Sequence, residues 1–362
     1  MPTLWEQAQT SLRPNTETAG DPGQTYALKS RMATHNVSAV SIALITDGQV
    51  EVDAAYGTRA ADDPVPVTAR TRFAACSVSK AVAAVAALRL VADGRLPLDA
   101  DVNEHVRDWR VRDAVGQPVK VTLRQLLTHT AGLNVGGAVG YDPAGPVPTL
   151  DDVFHGRPPS LTPAVHVVAE PGTAYRYSAG GYIVVQRLIC DATGKPFDDA
   201  VRALVFEPLA MDRSTFAPQP DDDDHAAAHV SMIRRGSPET NLVWPEQAAA
   251  GLWTTAGDLV RLTVAIQASY HGRGDFLPQA LAGDALLRQT PHRDVGLGLH
   301  LLGDGAARRF SHTRSHLGWR AEMLDWLDRE CGVAVMISNG YTGSELKGEI
   351  LKAVLSTYQW PT

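Results

Sequence analysis

Cys76-Ser77-Val78-Ser79-Lys80 runs straight into the alanine-rich stretch Ala81 to Leu90, and these five residues decide how the chain is to be read. A serine and a lysine three residues apart at the start of a helix share one face of its first turn. A serine hydroxyl is a poor nucleophile at neutral pH, but an amine that loses its proton in a crowded, partly desolvated pocket can serve as its base. The positive end of the helix also favours negative charge developing at the serine. Ser-x-x-Lys arises by chance as well; Ser77 or Ser79 then caps the helix and Lys80 is solvated. The remainder of the chain chooses between these readings.

Upstream, Pro22 to Thr34 reads as a helix with Tyr26, Leu28 and Met32 inward. Ser38 to Thr46 and Gln49 to Tyr56 read as strands joined by the hairpin turn Asp47-Gly48. Downstream, Ser79 to Ala92 is a helix apolar on every side, which belongs in a core, and Asp93-Gly94 ends it. Thr122 to Leu127 is a short helix, and the Gly- and Pro-rich run Asn134 to Pro163 reads as an irregular, lid-like excursion. Glu170-Pro171-Gly172 is a turn before a helix from Tyr182 to Ala192 closed by Gly194. Thr254-Thr255 caps another helix, Leu259 to Ala268. Val295 to Leu302, Arg308 to Thr313, Trp319 to Leu327 and Gly332 to Ser338 are strand candidates, and Thr342 to Tyr358 is a final helix. Strands at both ends with helices between them predict an α+β fold: one mixed or antiparallel sheet from both termini, flanked by helices, with a mostly helical domain inserted. The expected division is a discontinuous sheet domain, 1–80 and 240–362, and an inserted helical domain, 81–239, carrying the loop around Tyr177.

Composition bounds the function. The 362 residues are 44% apolar and 20% charged, ordinary for a globular protein with a sizeable core. A net charge of -7 argues against a nucleic-acid partner, which demands a basic stripe. No run reaches the length of a membrane span and no secretory leader is visible, so the expected compartment is the cytoplasm, with no membrane partner. Cys76, Cys190 and Cys331 are an odd count without metal-ligand spacing, which fits reduced thiols. Asp221-Asp222-Asp223-Asp224 lacks the spacing of a calcium loop and reads as solvated. No motif asks for a metal or cofactor.

A Ser77/Lys80 pair needs a proton donor for the leaving group and a strand edge to hold the substrate carbonyl. Tyr177-Ser178 follows a Pro-Gly turn, and His312-Thr313 ends a predicted strand before the reversal at Gly318-Trp319. With these in place the chain resembles the serine hydrolase superfamily of class C β-lactamases, DD-peptidase-type penicillin-binding proteins and the related family VIII carboxylesterases and acyltransferases. Ser77-Val78-Ser79-Lys80 is similar to its Ser-x-x-Lys motif, Tyr177-Ser178-Ala179 to its Tyr-x-Asn motif, and His312-Thr313-Arg314 to its Lys-Thr-Gly or His-x-Gly motif. Leu126 to Leu133, Pro171-Gly172-Thr173, Gly251 to Thr255 and Gly318-Trp319-Arg320 match further stretches in the family's order.

The resemblance implies a β-lactamase/transpeptidase-like fold and a two-step acyl transfer on Ser77, with Lys80 and Tyr177 as one coupled acid-base set. It implies an oxyanion hole from the backbone N–H of Ser77 and of a residue near Ser315 or His316. Substrate contacts are expected from His312, Thr313, Arg314, Ser315 and His316, while Trp253 and Trp319 either line an acyl pocket or simply pack. His129 reads as a hydrogen-bonded structural histidine, and Tyr175 and Tyr182 as scaffold. The expected partners are a small-molecule ester or amide as acyl donor and an amine or alcohol as possible acceptor. An esterase-like hydrolase is favoured over a biosynthetic transacylase and over a catalytically silent binding protein on the same scaffold. Two departures disfavour efficient β-lactam hydrolysis: Ala179 where the family often has asparagine, and Arg314 where it has glycine. A glycine lets a substrate backbone lie against the strand, whereas a guanidinium blocks that approach or binds an anion, unless the side chain is directed away from the cleft. Arg314→Gly is therefore expected to raise nitrocefin hydrolysis; an unchanged rate would refute the blocking role.

Overall fold

Asp47 and Gly48 both adopt positive φ, 51° and 71°, the backbone of a two-residue hairpin whose twist suits its strands. The computed structural model describes residues 1–15, 24–218, 224–227, 242–316, 318–338 and 343–362. Its strands are, in chain order, β1 (Ala39–Thr46), β2 (Gln49–Gly57), β3 (Phe73–Ala74), β4 (Trp253–Thr254), β5 (His300–Leu302), β6 (Arg309–His316), β7 (Trp319–Trp326) and β8 (Cys331–Ser338). Six of them form one antiparallel sheet in the order β2-β1-β8-β7-β6-β5, and β3 pairs with β4 in a second, two-stranded one. The large sheet is thus built from both ends of the chain, with the helices between.

The central strands are apolar on both faces because both faces are covered. In β1, Val40, Ile42 and Leu44 join Leu28, Met32, Leu346 and Ile350 in one core, beneath the helices Leu28–Thr34 and Gly343–Tyr358. Ala39, Ala43 and Ile45 face the other way, into the larger core with the helices Ser79–Ala92, Ala179–Thr193 and Ala256–Tyr270. The Ser79–Ala92 helix is buried along almost its whole length, and its alanines let neighbours approach closely. A Cβ on Gly298, whose φ is 82°, would sit 2.2 Å from that of Ala84.

Several boundaries move for identifiable reasons. The helix expected over Pro22 to Thr34 begins at Leu28, after Tyr26 has paired with Leu12 in an isolated bridge; residues 16–23 lie outside the described part, and a short helix, Leu4–Ala8, precedes it. The strand expected over Val295 to Leu302 shrinks to β5, because Val295 folds back to bridge His300. The helix expected from Tyr182 starts at Ala179, where the Ser178 side chain accepts the Gly181 N–H at 3.1 Å. The excursion 134–163 contains the helix Leu150–His155 and is tied by a Tyr141–Val243 bridge.

Asp325 of β7 is buried against the Ala256–Tyr270 helix, where the Gln267 amide donates to it at 3.0 Å. Burial pushes its carboxyl well above the usual carboxylate range. A raised pKa means the folded state holds the proton more tightly. The associated stability is fully present below the unfolded value of about 4 and is lost as pH rises through the folded one. Asp325→Asn should flatten the fall in urea stability between pH 5 and 8 and stabilise the protein at pH 8 by about 1 kcal/mol or more. A variant that keeps the wild-type slope would show that Asp325 is not its source.

Candidate active site

The Ser77 turn is held in an unusual backbone. Cys76 has φ of 50°, in the left-handed region that costs a side-chain-bearing residue about 1–2 kcal/mol. Such outliers persist where the surroundings over-determine them and cluster at functional sites. Here the surroundings are explicit: the Ala75 N–H donates to Leu252 O at 2.8 Å, the Leu252 N–H donates to Ser79 Oγ at 3.0 Å, and the Ser79 hydroxyl donates to Cys76 O. Ser79 is thus a clamp between the turn and the segment entering β4. Ser77, in the 3-10 turn Cys76–Val78, keeps 7% of its surface exposed.

Lys80 lies one turn on, 1% exposed. Its Nζ donates to Ala249 O at 2.6 Å and to Ser77 Oγ at 3.4 Å. The same nitrogen lies 5.0 Å from the centre of the Tyr177 ring and 5.6 Å from that of Tyr182. Three stretches distant in sequence thus meet at one amine.

His129 places the Tyr177 segment. Its φ is 58°, its carbonyl accepts the Arg176 N–H at 2.7 Å, and its Nδ1 accepts the Ser178 N–H at 3.1 Å. The imidazole packs on Tyr177, ring centres 4.4 Å apart, and on Tyr182 at 5.3 Å. Burial first, then the charges of Lys80 and His300, holds its pKa well below the ordinary value, so it stays neutral and free to accept. Ser178 Oγ donates to Val135 O at 2.8 Å, fixing the other side of the segment. Tyr182 donates its hydroxyl to Leu127 O at 3.2 Å.

β6 packs against the Ser77 turn. β5 pairs only with Arg309 to Ser311, so among the described residues the edge from His312 to His316 has no strand beside it opposite β7. His312 is buried, its ring 5.3 Å from that of His300. Thr313 turns toward the Gly343–Tyr358 helix, where Lys347 Nζ donates to its hydroxyl at 2.9 Å. The backbones of Arg314, Ser315 and His316 pair with Ala321, Arg320 and Trp319; their side chains lie outside the described residues. Trp253 and Trp319 are buried in edge-on contact at 5.7 Å, with Phe73 against Trp319 at 6.1 Å. Asp221, Asp222 and Asp223 fall outside the described residues, and Asp224 accepts from Thr71 and Arg213. Among the described residues no cluster of His, Cys, Asp and Glu could hold a metal, and no helix is long and apolar enough to cross a membrane.

The sequence profile of the family described as Beta-lactamase matches residues 27–355. The chain belongs to the beta-lactamase family. It is 30% identical over 305 residues to Esterase EstB of Burkholderia gladioli, covering 74% of this chain and 73% of that one. To the D-aminopeptidase of Brucella anthropi it is 24% identical over 322 residues, 87% of this chain but 58% of that protein. Among solved structures, "EstCE1, a hydrolase with promiscuous acyltransferase activity" superposes with a TM-score of 0.70 at 20% identity, over 90% of this chain and 96% of that one. This beta-lactamase-family protein has the β-lactamase/transpeptidase-like fold and is a serine hydrolase or acyltransferase.

The sequence missed two contributors: the Ala249 carbonyl, and the clamping role of His129, whose only trace is the matched stretch Leu126 to Leu133. His129→Ala leaves a buried N–H without its acceptor, at a cost of about 1–3 kcal/mol. It should lower both urea stability and p-nitrophenyl ester turnover. His129→Asn, which tolerates positive φ and keeps an acceptor, should lose less. Wild-type values for both properties in the alanine variant would remove the clamp.

Proposed function

We propose that the protein takes the acyl group of a small-molecule ester or amide onto Ser77 and releases it to water. The observation that carries this is the buried Lys80 Nζ within 3.4 Å of Ser77 Oγ. The substrate carbonyl lies between Ser77 and the open edge of β6. Ser77 Oγ attacks it, and the hydroxyl proton passes to the coupled Lys80/Tyr177 set. The N–H of Ser77 and one near Ser315 or His316 stabilise the oxyanion. Collapse expels the alcohol or amine, which leaves with the proton from Lys80/Tyr177. Water then gives a proton to the same set as it attacks the acyl-serine, the acyl–Oγ bond breaks, and the set returns the proton to Ser77 Oγ as the acid leaves. His312 and the β6 backbone beyond it border the groove; Trp253 and Trp319 back it as packing.

Esterase-like hydrolysis is favoured by the similarity to EstB, whose coverage is nearly equal on both sides. Transfer to an amine or alcohol is the second reading, favoured by the likeness to EstCE1. Ala179 and Arg314 weigh against efficient β-lactam turnover, and the odd cysteine count fits the cytoplasm.

Incubation with p-nitrophenyl esters of graded chain length and with a fluorophosphonate should give turnover and a single adduct on Ser77 by intact mass. Ser77→Ala should abolish both; no turnover and no adduct in the wild type would leave the silent binding protein standing. Added amines separate the two enzyme readings, since an acid yield independent of amine removes the transferase.

A further inference from the structure

Glu246 is buried on every side, 0% exposed, and neither carboxyl oxygen has a hydrogen-bond partner among the described residues. A carboxyl so placed is costly unless a charge compensates it. The chain on both sides of it is pinned. Gln186 Nε2 donates to Pro245 O at 3.0 Å, and Gln186 Oε1 accepts the Ala248 N–H at 3.1 Å. Glu246 O itself accepts the N–H groups of Ala249 and Ala250, at 2.9 and 3.1 Å, at the start of the helix Gln247–Ala250. That one turn carries the carbonyl of Ala249, on which Lys80 Nζ rests at 2.6 Å. The turn that begins at Glu246 is therefore the one that holds the Lys80 amine, and no hydrogen bond joins the two side chains.

Among the described residues, Lys80 meets Ser77, the Ala249 carbonyl and the rings of Tyr177 and Tyr182, and lies within electrostatic reach of the neutral His129 and of Glu246. Of these, Glu246 is the carboxyl. Burial raises its pKa and the charge of Lys80 opposes the rise. By reciprocity the carboxylate must favour the ammonium form of Lys80, and its protonation the amine.

We infer that Glu246 is a positioning residue, the buried counter-charge that sets the protonation state in which Lys80 meets Ser77. This rests on the reading that Lys80 takes part in removing the Ser77 proton. With Glu246 ionised, Lys80 is held as an ammonium, which restrains the nucleophile; with Glu246 neutral, Lys80 is released as an amine able to accept. The pair makes acylation depend on a carboxyl that touches no reacting atom.

The test is the pH profile of kcat/KM for a p-nitrophenyl ester. Glu246→Gln removes the charge and keeps the shape, so the acid limb should move to lower pH by about one unit. Glu246→Asp keeps the charge and should leave the limb near the wild-type position. A limb unmoved in Glu246→Gln, or moved equally in both variants, overturns the inference, since a packing role alone would change stability and kcat without moving it. Should Glu246→Gln not fold, infrared titration of buried carboxyl groups in wild type and Lys80→Met decides the matter. The titration should move to higher pH when the cation is lost, and an identical titration overturns the inference. Turnover that survives Ser77→Ala would take down the acyl-transfer reading, whereas an unmoved limb in an enzyme that still needs Ser77 takes down only the role of Glu246.

Discussion

Burying the amine of Lys80 is the constraint from which the rest of the site follows. An amine removed from water costs several kcal/mol unless oxygen acceptors and aromatic faces replace its hydration. Lys80 finds them on three separate stretches: the Ser77 hydroxyl one turn away, the rings of Tyr177 and Tyr182, and the Ala249 carbonyl. Those stretches must converge for the lysine to be buried at all. The alanines of the Ser79–Ala92 helix make that convergence possible, because small side chains let the neighbouring segments reach the amine.

Around that amine the backbone is fixed rather than flexible. Ser79 ties the left-handed Cys76 to Leu252, and His129 holds the residues on either side of Tyr177 with its carbonyl and its ring nitrogen. Two positive-φ residues without the freedom of glycine, Cys76 and His129, thus flank the two side chains that flank Lys80. Strain of this kind survives only under such restraint, and the restraint is what preorganises nucleophile and phenol. The sheet adds the third element. Because β5 begins only at His300, opposite Ser311, β6 from His312 onward offers backbone groups beside the Ser77 turn that, among the described residues, no strand uses on the side away from β7.

Much of the fold is written locally. Asp47-Gly48 specifies a hairpin by its φ preferences, the apolar run of β1, broken only by Ser41 before Thr46, specifies a strand covered on both sides, and the alanine-rich, mostly apolar Ser79–Ala92 specifies a core helix. The side-chain members of the site are equally legible, since Ser77, Lys80 and Tyr177 sit in motifs with fixed spacing. Boundaries that depend on a distant partner are not. Tyr26 is drawn out of its helix by Leu12, and Val295 out of its strand by the turn to His300. Thr313, beside His312 in sequence, faces Lys347 because a strand alternates its faces.

The sequence by itself determined the fold class, the order of the motifs and the positions of the proposed nucleophile and amine, because each is carried by residue type at short separation. Only the tertiary structure decided what surrounds that amine. The Ala249 carbonyl is chemically the same as every other carbonyl in the chain, and Glu246 is one of many acids. What distinguishes them is burial in the turn on which the Lys80 amine rests, and that burial comes from the packing of segments more than 160 residues apart, which no local pattern encodes.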